Sequence, residues 1–409
     1  MRPLEEARRD VIAAVPLLPA EPTPLDDALG LVLADDAIVP HDLPPFTNSA
    51  MDGYAVRAAD VAAAPAALEV LEDVPAGSVA GAVVLPGTAI KIMTGAPMPE
   101  GADAVVRVED TEQDGATVRI GVGVGKGTNV RPAGGDVRAG EVALPAGRRL
   151  TPAMVGVLAS IGTTMPVVHR RPRVAVMSTG DEVLPPEADL RPGAIRDSNR
   201  PILRSLLAEL GAEVVDLGII GDDANALRDA VARGAAGADA IITSGGVSMG
   251  EYDLVKQVLG ELGSVDFWQV AMQPGKPFAF GHVDGTPLFG LPGNPVSVTV
   301  AFEQFARPAL LTMMGSQAVL RPRIGAITDE DLRSDPAKTV FLRAAARREG
   351  DGWRIRLSGG QLSNMLSAVA VGDAFVVMPR GIADVPAGGS VIVEMFRWPE
   401  DRPFDEEVA

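Results

Sequence analysis

Hydrophobic and polar positions change period along the chain, and the change divides it. From residue 173 onward, short apolar runs alternate with segments of helical period. RVAVMSTG predicts a buried strand ending in a turn. PILRSLLAELG predicts an amphipathic helix, with Pro201 in its first turn and Gly211 just past its end. EVVDLGIIGDD reads as a second strand whose two aspartates can cap a helix over 226–231; ADAIITSGG is a third strand and PLFGLPGNP a later one. Such alternation predicts right-handed βαβ units and a parallel sheet covered on both faces.

The flanks have other periods. Between 54 and 147, short β-prone runs such as AGAVVLPGTAIKIMTG are broken by Gly and Pro, which predicts a small all-β unit; residues 321–397 read the same way. Residues 1–40 read as a helix followed by a Pro-rich turn. A helical pattern returns over 148–168 through Met154, Val157, Leu158 and Ile161. The two segments are expected to pack together, which makes the β unit between them an insertion. HDLPPFTNSAMDG (41–53) reads as a loop, in which Asn48 and Asp52 fit turn positions.

Composition narrows the classes. A chain of 409 residues exceeds one hydrophobic core, and a hydrophobic content of 47% argues against global disorder. No apolar run is long enough to cross a bilayer, and the charged start, MRPLEEARRD, lacks the apolar core of a secretory signal. Cysteine is absent, which removes disulfides, thiolate metal sites and cysteine nucleophiles. Histidine is limited to His41, His169 and His282, which disfavours a zinc enzyme. The net charge of −18 disfavours nucleic acid, so an anionic substrate would have to be captured by local features: helix N-termini, a bound cation, or placed Arg and Lys.

Ligands of open parallel sheets sit beyond the carboxyl ends of the strands. Four punctuated loops fall there: STGDE (178–182), GDD (221–223), TSGGVSMGEYD (243–253) and LPGNP (291–295). Gly245 and Gly250 have the outer spacing of a P-loop, but Glu251 follows where that motif needs Lys, and the dinucleotide fingerprint is also missing. Two readings stay open for this stretch: an anion cradle of backbone amides with the hydroxyls of Ser244 and Ser248, or a plain connection capped by Asp253. Asp181, Glu182, Asp222, Asp223, Glu251 and Asp253 all follow strand ends. Either they cap and solvate, or a hard cation such as Mg²⁺ relieves their repulsion. In QPGKPFAFG (273–281), Lys276 lies between Gly275 and Pro277 on an extended loop, open to an anion or to solvent.

PPFTNSAMDGYAV, KIMTGAPMPEGADAVV, MSTGDEV, SGGVSMGEYD, PGKPFAFG and GLPGNPVSV, in this order, resemble the molybdopterin molybdotransferases, the MoeA-type enzymes that include the gephyrin E domain. The resemblance spans nearly the whole chain. It implies a multidomain α/β plus β protein: an elongated linker domain (1–40 and 148–168), an inserted β domain (41–147), a three-layer α/β molybdopterin-binding domain with a mostly parallel sheet (169–315), and a C-terminal β-barrel domain (316–409). It implies a cytoplasmic homodimer that inserts molybdenum from molybdate into adenylylated molybdopterin, releases AMP and requires Mg²⁺. Molybdopterin adenylyltransferase and proteins that handle the finished cofactor are then possible partners, with neither nucleic acid nor membrane among them.

Carried over by position, Asp52, Thr94, Asp136, Glu182, Asp222 and Asp253 are catalytic residues, the last three also metal ligands. The substrate-binding turns are Ser178, Thr179 and Gly180; Ser244, Gly245, Gly246 and Ser248; Lys276; and Pro292, Gly293, Asn294 and Pro295. Lys276, Arg343 and Ser363 match the oxyanion positions. The family's Lys-Pro-Gly-Lys turn begins with Gln273 here, so one cation of that site is missing. Two rival readings are an adenylyltransferase of the same pathway, which resembles the α/β segment alone, and a scaffold, which would need further interaction segments.

Overall fold

The computed structural model describes residues 1–246 and 254–399. The alternating segment forms a six-stranded sheet of β1 (Arg173–Thr179), β2 (Glu213–Ile220), β3 (Ala240–Ser244), β4 (Gly263–Gln269), β5 (Pro277–Val283) and β6 (Thr286–Leu291), in the order β2-β1-β3-β6-β5-β4. The first four in that order are parallel; β6, β5 and β4 form an antiparallel edge. Helices α1 (Asn199–Leu210), α2 (Ala224–Gly237) and α3 (Leu254–Leu262) lie between strands, and α4 (Pro295–Ala301) follows β6.

The period of two along each strand sorts side chains into two cores. Val174, Val176, Ile242, Phe289 and Leu291 pack with Leu203 and Leu207 of α1 and Val296 and Val300 of α4. Their sequence neighbours Ala175, Met177, Ile241 and Leu288 pack with Leu227 and Val231 of α2 and Val258 and Leu259 of α3. Each fully buried aliphatic side chain contributes about 1.5–3 kcal/mol, and a one-residue slip of a strand would turn its two sets toward the wrong cores. Gly211 ends α1 at a φ of 85°, and the Asp223 side chain caps α2 by accepting from the Ala226 N–H at 2.7 Å.

The sheet is mostly parallel, as the family resemblance implied, with an antiparallel edge that the strand–helix alternation alone did not signal. From Pro277, the stretch read as an extended loop is strand β5. Phe278 and Phe280 alternate into the first core, and Phe278 stacks on Phe305 with centroids 4.2 Å apart.

The N-terminal reading also changes. The helix covers only Leu4–Ala13, because Pro16, Pro19, Pro22 and Pro24 preclude its continuation. Its buried face (Leu4, Ala7, Val11) joins the central core and not the 148–168 segment. Residues 20–39 do meet that segment: Ala20–Pro22 and Val32–Leu33 flank strand Val167–His169, and Leu31, Leu33 and Val39 pack with Leu158 and Ile161.

Between these segments, a six-stranded mixed sheet runs from Gly53–Val56 to Thr117–Ile120. Beyond the central unit, Thr339–Glu349, Gly352–Leu357, Arg323–Thr328, Ser390–Met395 and Ala374–Met378 pair in succession, and the last returns to the first, closing a five-stranded barrel. The short strand Met272–Gln273, just before Lys276, pairs in parallel with Thr339 and Val340 and ties the barrel to the central sheet. Among the described residues, no helix is long and apolar enough to cross a membrane.

Candidate active site

A cleft of about 990 Å³ opens at the carboxyl ends of β1, β3 and β6. Ser178, Thr179, Gly180, Glu182, Asp222, Ser244, Gly245, Gly246, Pro292, Gly293, Asn294 and Pro295 all line it, so the structure brings four separate sequence stretches to one rim. Asp253, Glu251, Gly250 and Ser248 lie outside the described residues.

The loops lock one another. The Gly245 N–H donates to Leu291 O at 3.1 Å and the Thr179 hydroxyl to Ser244 O at 3.3 Å. Gly245 and Gly246 have φ of 99° and 64°. A Cβ on Gly245 would stand 2.9 Å from Thr179 O, and one on Gly246 would stand 2.1 Å from Val255 Cγ2, so only glycine fits this turn. Asp181 and Asp222 clasp the β1 and β2 ends: the Asp222 N–H donates to Asp181 Oδ1 at 3.0 Å and the Asp181 N–H to Asp222 Oδ2 at 3.5 Å.

Sequence reasoning missed the cleft floor. Asp197, with 5% exposure, accepts from the Ser178 hydroxyl at 3.0 Å and pairs with Arg200 at 3.1 Å. Asn199 Nδ2 donates to Ser244 Oγ at 2.8 Å and to Gly293 O at 2.6 Å, bridging the ends of β3 and β6. Its Oδ1 is buried without a partner. The signal was the polar run RDSN immediately before PILRSLL: α1 begins at Asn199, two residues before Pro201.

Of the cleft-lining carboxylates, Asp197 is neutralised by Arg200, whereas Glu182 and Asp222 enter no ion pair among the described residues. They offer hard oxygen donors of the kind Mg²⁺ takes. Among the described residues, no group of three or more His, Asp or Glu side chains is gathered closely enough to hold a metal.

The barrel reaches the rim through one loop. Ser363 Oγ accepts from Asn294 Nδ2 at 3.0 Å, its carbonyl accepts from the Val296 N–H at 3.2 Å, and Asn364 lines the cleft. Arg343 does not face the cleft. It is 1% exposed, and its guanidinium donates to Phe341 O, Gly360 O and Leu362 O at 3.2–3.3 Å, holding the loop that carries Ser363. Its Nε is buried without an acceptor, and burial holds its pKa down to about 10.

Lys276 is exposed beside cleft-lining Pro277. Gln273, where the family has lysine, accepts from Lys338 Nζ at 3.3 Å; that ammonium is also 2.7 Å from Asp335. A cation from the barrel thus stands beside the position that lacks one.

Asp52, Thr94 and Asp136 do not line the cleft. Asp52 Oδ1 accepts from both the backbone N–H and the hydroxyl of Thr94 at 2.7 Å, and these bonds, the backbone one foremost, hold its carboxyl below the ordinary range. Asp136 is exposed on another loop, its N–H donating to Leu43 O at 2.9 Å.

The fold and this rim define a multidomain α/β protein with a glycine- and hydroxyl-lined cleft at a parallel sheet edge, flanked by a closed β barrel. Residues 2–162 match the MoeA N-terminal region (domain I and II), 175–312 a probable molybdopterin binding domain, and 325–396 the MoeA C-terminal region (domain IV). Molybdopterin molybdenumtransferase 2 of Mycobacterium tuberculosis (H37Rv) is 40% identical over 398 residues, 95% of this chain and 98% of that protein. The molybdopterin molybdenumtransferase of Haemophilus influenzae is 36% identical over 97% of this chain and 99% of its own. A crystal structure of the molybdopterin biosynthesis MoeA protein from Pyrococcus horikoshii OT3 superposes with a TM-score of 0.84 at 29% identity, covering 97% of this chain and 100% of that one. The chain belongs to the MoeA family of molybdopterin molybdenumtransferases.

Proposed function

We propose that the chain inserts molybdenum from molybdate into adenylylated molybdopterin and releases AMP, the last step of molybdenum cofactor biosynthesis. The observation that carries this reading is the cleft itself: glycine-turn amides and hydroxyls from β1, β3 and β6 stand beside unpaired carboxylates in a chain of this family. On this reading Ser178, Thr179, Gly180, Ser244, Gly245, Gly246 and Pro292–Pro295, with Ser248, bind the pterin nucleotide. Asn199 and Asp197 keep their loops in register. Glu182 and Asp222, with Asp253, hold Mg²⁺, which when bound neutralises charge on the departing phosphate. Lys276 and Ser363 receive molybdate, and Arg343 serves them by fixing the 360–362 loop.

Asp52, Thr94 and Asp136 are not among the lining residues of their own chain's cleft. We assign them to the cleft of a second copy, which makes the working unit a homodimer in the cytoplasm. The four-domain division (1–40 with 148–168, 41–147, 169–315, 316–409) suits this arrangement. The substrate is an adenylylated compound, so an adenylyltransferase must supply it. The test is incubation with adenylylated molybdopterin, Mg²⁺ and molybdate: AMP release that depends on molybdate supports the reading, and AMP release that ignores molybdate overturns it.

A further inference from the structure

A second, smaller cavity, of about 230 Å³, shares no lining residue with the cleft. It lies where three parts of the chain meet. Arg149 comes from the segment preceding the central unit, Arg307 from the helix Arg307–Met313 that continues beyond α4, and Arg321 from the approach to the barrel. Phe302 and Phe396 form apolar walls, and Glu209 of α1 stands at the margin.

Three guanidiniums around so small a space are not matched by acids. Glu303, 4% exposed, is held by the Arg321 fork with both bonds at 2.9 Å and lies 3.8 Å from Arg307. Glu209 forms no ion pair among the described residues. The formal balance is three positive charges against these two carboxylates; a third, Glu394, also acts on Arg321 but is itself paired with Arg323 at 2.7 Å. Some donors are already used: Arg149 donates to Gly30 O and to Leu210 O at the end of α1, and Arg307 donates to Val319 O. One terminal nitrogen of each arginine, Nη1 of Arg149, Nη2 of Arg307 and Nη1 of Arg321, has no acceptor among the described residues. Burial first, and then the neighbouring Arg321 and Arg149 charges, push the Arg307 guanidinium down to about 10 despite Glu303 and Glu209. An anion in the cavity would relieve that repulsion.

We infer that this cavity, formed by Arg149, Arg307 and Arg321, is a binding site for a small divalent tetrahedral oxyanion, separate from the cleft. Guanidinium forks match the paired oxygens of such an ion, and apolar walls limit screening of the contact. The volume of about 230 Å³ admits such an ion. Because the donors come from three parts of the chain, the bound ion would tie the barrel to the central unit. The site stands on its own residues and does not depend on the activity proposed above.

The test is calorimetric titration of the full chain with inorganic phosphate, sulfate and molybdate in separate arms, with ionic strength held constant by chloride. Replacing Arg321 would strand the buried Glu303, so the informative variants are Arg307→Gln and Glu209→Gln. Expected is an oxyanion site weakened at least tenfold by Arg307→Gln and tightened severalfold by Glu209→Gln, an exposed change that leaves the packing intact. Ser363→Ala, at the cleft, should leave this site unaltered. Oxyanion affinity that ignores both Arg307→Gln and Glu209→Gln would overturn the inference, as would titrations in which none of the three ions binds more strongly than chloride. Comparison of the arms tells whether the site takes any tetrahedral dianion or selects molybdate.

Discussion

Arg343 matches an oxyanion position of its family, yet it points away from the cleft, and Arg343→Met separates the two ways in which it could matter. The substitution keeps an apolar stem of similar length and deletes three hydrogen bonds, to Phe341 O, Gly360 O and Leu362 O. At 3.2–3.3 Å these bonds are long, so each is placed below the usual charged-donor range, at about 1 kcal/mol, or roughly 3 kcal/mol together. Against this stands the cost of burying the charge. A pKa held at about 10, against an ordinary 12.5, corresponds to a penalty of roughly 3 kcal/mol that the variant no longer bears. The two nearly cancel, so the global unfolding free energy should change by no more than about 1 kcal/mol. The loop does not share in the cancellation, because two of the three lost tethers were its own. Gln361 still bridges the Arg343 backbone at 2.9 and 3.2 Å and keeps the loop in place on average. A local loss of about 2 kcal/mol raises amide exchange over 360–364 roughly thirtyfold. It also loosens the Ser363–Asn294 contact, so the molybdate concentration for half-maximal AMP release should rise. Hydrogen exchange and a molybdate titration read the two effects. Arg343→Lys, which restores charge but not the three-way fork, should behave like the Met variant. If loop exchange and molybdate dependence are both unchanged in Arg343→Met, the positioning argument is wrong.

Glu182→Ala and Asp253→Ala should fold with unaltered melting curves but lose molybdate-dependent AMP release; activity at the parental level in both would remove the carboxylates from the reaction. Mixing Asp52→Ala with Asp253→Ala chains should recover part of the activity through one intact composite site, and absence of recovery after demonstrated subunit exchange argues for a site within one chain. Lys276→Ala should raise the half-maximal molybdate concentration about tenfold or more, and Lys338→Ala should raise it as well. Gln273→Lys should give only a small gain, because the new ammonium would face Lys338, which now donates to Gln273 at 3.3 Å. The Asp239 carboxyl is subject to burial, which alone would raise its pKa, but the Arg170 fork at 2.6 Å and the Arg173 N–H outweigh it and hold it below 3.8. A lowered carboxyl stabilises the fold above its unfolded pKa and loses that contribution as pH falls through the folded one. Asp239→Asn should therefore cost about 1–2 kcal/mol at neutral pH, after screening of this partly buried pair, and flatten the stability profile below about pH 4. Denaturant titrations at pH 7 and pH 3 check it.

The sequence by itself determined the parallel part of the central sheet, because the short continuous apolar runs in RVAVMST and AIITS and the glycine after PILRSLLAEL are local properties that neighbours along the chain already express. It also located the rim, since four Gly/Ser/Asp turns follow strands whose carboxyl ends share one sheet edge, and its motifs carried the family. What it left undecided depends on contacts far apart in sequence. The β4–β5 edge was hidden because PGKPF reads as a turn until Phe278 and Phe280 find Phe305 and Phe289 in a shared core. The floor of the cleft was hidden because Asp197 and Asn199 look like helix-start residues; only the fold brings Ser178, Ser244 and Gly293 within their reach. The resemblance marked Arg343 as an oxyanion position but could not show it buried, because an arginine shows its charge in the sequence, whereas the carbonyls that absorb its donors are set by tertiary packing. The trio Arg149, Arg307 and Arg321 was not legible at all: its members come from three parts of the chain, and charges acquire a shared field only when folding brings them together.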